Sequence, residues 1–358
     1  MKRAKWISSA ALLVIAWLPL AANADDEGAG ATAPTQEVPA PATPSVGFAP
    51  DVPAVTVAST DVAPPNTVVA TAKPAAPAPK QPPPPYSLPW QLRPLNVGNV
   101  VRSDTSIAFF NAKDMATGET NAGNTVSSML LGMYKVTPKL APMVRLAFVY
   151  NNEPLGPADA VIVNPLAGVL YATTVDRIKI AGFAAVTAPI GQGGGDNPDP
   201  ADAKAASRGI PARSAMDNAM FATNYFAAIG GIGAGYVSDG FTAQVEVTVL
   251  QLFKTRGPEM EDDARTNFTA GIHSGYFVAP QLSLGGELRY QRWLTDAAPV
   301  VKDPHARETV TFAIGPRLHL KLENKQWLRP GISYSRVLDA PWSNNSYQMV
   351  QIDVPYVF

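Results

Sequence analysis

The chain of 358 residues contains no cysteine. That excludes disulfide staples, thiolate metal ligands and attachment of lipid to an N-terminal cysteine. Histidine is scarce as well, with only His273, His305 and His319. No two of them have ligand spacing, so no metal and no cofactor are expected. Charged residues make up 16% of the chain and the formal net charge is −1, which gives no reason to expect a nucleic-acid partner. The most informative absence is that of a long apolar run. Hydrophobic residues reach 46%, yet beyond the first two dozen positions no run attains the roughly 18 residues that a membrane-crossing helix needs. A mature chain that enters a bilayer must then do so with strands, and only a closed barrel satisfies strand backbone in lipid.

The opening stretch "MKRAKWISSAALLVIAWLPLAANADD" carries Lys2, Arg3 and Lys5, an apolar run from Ala10 to Leu20, and Ala22-Asn23-Ala24. This is the pattern of a signal peptide, residues 1–24, cleaved after Ala24. Residues 25–94 hold 17 of the 35 prolines, mixed with alanine, threonine and valine. Such a composition does not bury a core, so a disordered Pro/Ala-rich periplasmic linker is expected there.

From residue 95 onward the texture changes. Twelve segments have strand composition: 99–111, 124–136, 141–150, 160–173, 177–190, 221–237, 241–253, 266–278, 281–293, 308–322, 328–338 and 347–358. In "ETVTFAIGPRLHLKLE", Val310, Phe312, Ile314, Leu318, Leu320 and Leu322 share one face, and Thr311, Gly315, Arg317, His319 and Lys321 the other. The connections alternate long and short from the first to the last, with 191–220 the longest. A membrane-spanning up-and-down antiparallel β-barrel of about 12 strands, residues 95–358, has this asymmetry, with short turns at one mouth and long loops at the other. In such a barrel the apolar face looks out and the polar face lines the lumen. The expected pore-lining residues are Arg145, Arg177, Lys179, Glu246, Glu287, Arg289, Arg317, His319, Lys321 and Asp353, a set richer in base than in acid. A basic excess in a confined passage favours anions. Tyr150, Tyr171, Trp293, Trp327, Trp342, Tyr356 and Phe358 fall near segment ends, as interfacial aromatic girdles do.

The closing "NSYQMVQIDVPYVF" alternates Val350, Ile352, Val354 and Tyr356 with Met349, Gln351 and Asp353, and ends on Phe358. It resembles the last strand of bacterial outer-membrane proteins. The resemblance implies that Tyr356 and Phe358 form a signal read by the barrel-assembly machinery, in an outer membrane whose lipid and lipopolysaccharide are the other partners. Residues 141–358, through "FAAVTAPIGQG", "LSLGGELRYQRWLTD", "FAIGPRLHLKL" and the closing strand, resemble the channel family associated with meta-cleavage phenol degradation, relatives of fatty-acid channels. That resemblance implies passage of small hydrophobic or aromatic compounds.

Three functions follow: a passive channel for small solutes, hydrophobic or anionic; a plugged structural or surface-interaction barrel; and, least favoured, an outer-membrane hydrolase. For the last, "GIHSGYF" offers His273 and Ser274, but adjacent strand residues face opposite sides and cannot form a local base–nucleophile pair. No catalytic residue is expected. "GPEMEDDART" reads as a solvated acidic loop.

Overall fold

A computed structural model describes residues 86–358 except 115, 155, 259 and 260. The expected signal segment, and the linker as far as residue 85, lie outside the described residues. Fifteen strands are present: β1 (Val100–Lys113), β2 (Thr120–Met133), β3 (Leu140–Asn152), β4 (Asp159–Ile162), β5 (Leu166–Val175), β6 (Ile178–Thr187), β7 (Tyr225–Ser238), β8 (Phe241–Lys254), β9 (Ala264–Ala279), β10 (Leu282–Trp293), β11 (Glu308–Leu318), β12 (Leu320–Lys321), β13 (Trp327–Leu328), β14 (Gly331–Val337) and β15 (Gln348–Val357). Leaving aside the short β4, β12 and β13, twelve form an antiparallel up-and-down barrel. It closes where β1 meets β15, in continuous register from Val100↔Val357 to Phe109↔Gln348.

Alternation sorts each stave into two solvents. On β8, Thr242, Gln244, Glu246 and Thr248 are buried inward, whereas Phe241, Val245, Val247 and Val249 are exposed outward. On β15, Met349, Gln351 and Asp353 point in. The apolar outside and ionic inside match the membrane-spanning barrel expected from the sequence. Exposed Tyr134, Tyr171, Tyr236, Tyr276 and Phe358 gather near the mouth where the short turns lie, here called the near mouth. Trp293 departs from the expected girdle. It sits on the inward parity of β10 and is buried.

Strand positions follow the sequence reading to within a few residues, with four differences. The segment expected at 160–173 is one stave interrupted at Val163–Pro165. There the Asn164 amide stands in for the ladder, its Nδ2 donating to Ala222 O (2.9 Å) while its Oδ1 accepts from Gly191 N (2.9 Å). Residues before Tyr225 leave the sheet for a short helix, Asn218–Phe221. β11 stops at Leu318, and 319–330 forms a small hairpin extension, β12 and β13, rather than a tight turn. Finally, residues 114–119 and 134–139 are equal in length, so the first long loop and the first short turn do not differ. The asymmetry comes from the middle connections, 176–177, 239–240 and 280–281 at one mouth against 188–224, 255–263 and 294–307 at the other, and the last pair, 319–330 and 338–347, does not follow it.

If the outer face meets hydrocarbon, Leu288→Arg (Leu288 is outward and 46% exposed) is expected to destabilise the barrel by about 2–4 kcal/mol. Urea titration in liposomes measures this. A change under about 0.5 kcal/mol would be inconsistent with a lipid-facing site.

Candidate functional site

Twelve staves enclose more room than their own side chains fill, and two inserts occupy the lumen. The first comes from the near mouth. Residues 86–94, assigned above to the disordered linker, lie inside the barrel with Tyr86, Leu88, Trp90, Leu92 and Leu95 buried. The linker boundary at 94 is therefore corrected, and the reason is visible in "YSLPWQL". Tyr86, Leu88, Trp90 and Leu92 repeat at every second position, an apolar pattern that the surrounding prolines mask.

The segment enters beside the β7–β8 turn, reaches mid-lumen and returns. Ser87 N donates to Thr242 Oγ1 (3.0 Å) near the mouth. At the deepest point Trp90 N and Gln91 N donate to the Glu287 carboxylate, and Arg93 pairs with Glu246 (2.6 Å). On the way back Asn96 Oδ1 accepts from Lys179 Nζ (2.9 Å). Gln244 latches the two limbs, accepting from the Tyr86 hydroxyl (2.6 Å) and donating to Arg93 O (2.8 Å). Below it, Arg102 and Arg317 both pair with Asp353, and they also donate to Pro89 O (3.1 Å) and Leu88 O (3.1 Å). The wall is notched to receive the segment. Gly271, between Glu246 and Arg289 in register, lies so close to Leu92 that a Cβ there would stand 2.3 Å from Leu92 Cδ2. Gly235 makes the same room for Leu95, at 2.5 Å.

The second insert descends from the far mouth. It is the connection between β6 and β7, with α1 (Pro200–Ala212), capped by the Asp199 side chain on Ala201 N (2.9 Å), and α2 (Asn218–Phe221). Between the helices, Ser214 and Ala215 take left-handed φ of 54° and 55°, and that turn sets Arg213 at the tip. Its guanidinium is fully buried and grips Asp104 on β1 with two hydrogen bonds (2.7 and 2.8 Å), while its Nε pairs with Asp217 (3.3 Å). Arg145 pairs with the other Asp217 oxygen (2.7 Å). Burial pushes the Asp217 carboxyl up, but Arg145 and Arg213 outweigh it and hold the group well below the usual carboxylate range. At the rim Arg208 clasps Glu153 (2.8 and 3.0 Å).

Of the expected pore-lining residues, Arg145, Glu246, Glu287, Arg289, Arg317, His319 and Asp353 face inward, and Lys179 lines the near mouth. Two are placed elsewhere. Lys321 lies on the exposed hairpin extension, past the end of the β11 stave. Arg177 sits at the turn before β6, its side chain 58% exposed. The inward bases are largely matched by acids that the sequence reading had left out or undercounted, Asp104 and Asp217 above all. The expected basic excess is thereby reduced at mid-lumen, where Arg93, Arg102, Arg145, Arg213, Arg289 and Arg317 pair with Asp104, Asp217, Glu246, Glu287 and Asp353. Sequence reasoning also missed Ser283 Oγ at 2.9 Å from His319 Nε2. Ser283 on β10 and His319, just past the end of β11, are buried together next to Ser87, and no carboxylate touches His319 among the described residues. Ser274 points outward while His273 points in, so those two do not combine.

No protein-family model matches this chain, and no curated protein does. Among solved structures, the COG4313 outer membrane channel from Pseudomonas putida F1 aligns at 13% identity and a TM-score of 0.45, covering 75% of this chain and 97% of that one. The NanC porin aligns at 6% and 0.43, covering 71% and 98%. A Pseudomonas aeruginosa FadL homologue aligns at 10% and 0.38, covering 73% and 90%. At these scores the likeness adds nothing to what the chain's own strand pairings show.

The inserts divide the lumen unevenly. The near-mouth segment is held chiefly by β8–β11 and β15, the polar half of the wall, joined by Arg102 of β1 and Lys179 of β6. On the β2, β3 and β5 side Met129, Leu131, Met133, Met143 and Leu170 line a narrow gap that runs past Arg102 up to Asp104 and Arg145.

The far insert also carries a repulsive contact. On α1, partial burial and then the neighbouring Asp159 raise the Asp202 carboxyl to about 6. A raised folded value means that docking favours the protonated form. The contribution is complete below about 3.8, the ordinary value, and is lost as pH rises through about 6. Asp202→Asn is therefore expected to slow amide exchange in α1 a few-fold at pH 7.5 and to leave it unchanged at pH 4, after correction for intrinsic rates. Equal effects at both pH values would dismiss the Asp159 contact.

Proposed function

We propose that this chain is a gated outer-membrane channel for passive movement of small, largely apolar solutes, with the near mouth in the periplasm. The observation that supports the reading is the way the lumen is closed. Neither insert is paired into the ladder of the barrel; ion pairs, hydrogen bonds and apolar packing hold both, and backbone bonds tie the far insert to the stave only around its interruption at Asn164, so the insert tips can leave without unpairing the staves. The gap lined by Met129, Leu131, Met133, Met143 and Leu170 marks the side where a pathway opens most readily, because among the described residues β2, β3 and β5 give the near-mouth segment no polar anchor. Thioether and aliphatic walls receive an apolar solute without charging it the desolvation cost of the ionic half. On this reading no chemistry is performed. The C-terminal strand with Tyr356 and Phe358 would be what the assembly machinery recognises, and lipid with lipopolysaccharide would surround the outer face.

A planar-bilayer experiment tests the proposal. Gly271→Val fills the notch that seats Leu92 with a residue that suits a strand, so the barrel should persist while the near-mouth segment is dislodged. Open probability is expected to rise at least ten-fold over the unaltered chain, with heat-modifiable gel mobility unchanged. Arg213→Ala, which frees the far insert, should act in the same direction and more than additively in combination. A folded double variant that never conducts would support a plugged scaffold instead.

A further inference from the structure

Among the described residues, the near-mouth segment leaves one side of its entrance open. Between it and the wall lies a cavity of about 630 Å³, bordered by Leu88, Leu95, Val97, Val100, Leu131, Met133, Trp327 and Val357. That is the size of a small-molecule site, and such sites combine apolar walls with a few placed polar groups. The charges on its border are all of one sign. Among the described residues Arg102, Lys139 and Arg329 contribute, and no aspartate or glutamate does. Arg102 is already neutralised by Asp353 (2.6 Å). Arg329 is not. Its backbone is satisfied, N donating to Pro355 O (2.9 Å) and O accepting from Arg317 Nη1 (2.8 Å). Its guanidinium lies over the Trp327 ring at 5.1 Å, and the buried Nε has no hydrogen-bond partner among the described residues. Lys139 forms no ion pair among the described residues.

A buried donor left unpaired costs about 1–3 kcal/mol, more when charged. A fold that holds a cation this way at the edge of an apolar chamber is complementary to an anion with an apolar body. We infer that this chamber binds a small amphipathic monoanion, its acid group on Arg329 and Lys139 and its body against Leu95, Leu131 and Met133. The assignment goes beyond the channel reading and does not depend on conduction. The ion-paired mid-lumen offers no such charge, so the chamber is where this chain would distinguish an acid from its neutral analogue.

The full chain purified from membranes into lipid nanodiscs at pH 7.5 is titrated with 4-fluorobenzoate, and separately with the neutral 4-fluorobenzyl alcohol, each followed by fluorine NMR line broadening. The acid should bind saturably and at least ten-fold more tightly than the alcohol. Arg329→Gln should weaken the acid at least ten-fold and change the alcohol less than two-fold. Lys139→Gln should weaken the acid by a smaller factor. Equal affinity for acid and alcohol, no saturable binding of either, or an unchanged acid affinity in folded Arg329→Gln would each overturn the assignment. Should Arg329→Gln fail to show heat-modifiable mobility, the acid-to-alcohol ratio on the unaltered chain decides alone. Because binding rather than current is read, a barrel that binds without conducting, or conducts without binding, separates this site from the channel proposal.

Discussion

Everything in this molecule depends on the ladder between the first and last staves. A strand in hydrocarbon has no water to satisfy its amides, so an open sheet edge is not tolerated there. The continuous pairing of β1 with β15 removes both edges at once. Closure also dictates which residues can stand where. With the outside committed to an apolar solvent, every ionic side chain on a stave must turn inward or sit at a mouth. The charged lumen is therefore a consequence of the closed wall before it is a device for anything else.

A wall of twelve staves encloses a bore wider than its side chains can fill, and the two inserts answer that geometry. Each brings its own counter-charges. Backbone amides of Trp90 and Gln91 meet Glu287, Arg93 meets Glu246, and Arg213 meets Asp104. A buried ion pair is seldom a strong source of net stability compared with apolar packing, whereas loss of one partner is costly. Such contacts suit parts that must be placed accurately and yet remain separable. The polar half of the bore serves as the docking surface of the near-mouth segment, and below the far insert the methionine-lined half is left comparatively free.

Much of the barrel was legible because period-two alternation reports which side of a sheet a residue occupies whatever surrounds it. Val310 to Ile314 and Phe241 to Val249 could be sorted without coordinates. The interruption at Val163–Pro165 was not legible, because it depends on Asn164 reaching a loop more than twenty residues away. The inserts were hidden for two different reasons. Tyr86 to Leu92 alternate as a strand does, but they sit among prolines that argue for an extended tether. Arg213 and Asp217 stand in a loop, where charge ordinarily means solvent. Only the three-dimensional meeting with Asp104 and Arg145 shows that they are buried. The lumenal charge balance failed for the same reason, since it counted staves and not what enters between them. Lys321 looked inward by parity alone, which stops applying once the chain has left the barrel.

Gln351 connects the two closures. From β15 its Nε2 donates to Asp104 Oδ1 (2.8 Å), the carboxylate that seats Arg213, and lies 3.4 Å from Trp90 O at the head of the other insert. Arg289 bridges the same interval, from Glu287 to Ser214 Oγ (3.1 Å). Whatever free energy these shared groups contribute to one occupant they withdraw when the other departs. Linkage makes that influence mutual and equal in magnitude. An event at the far mouth and one at the near mouth are thus coupled through a single amide and a single guanidinium, with no movement of the staves required.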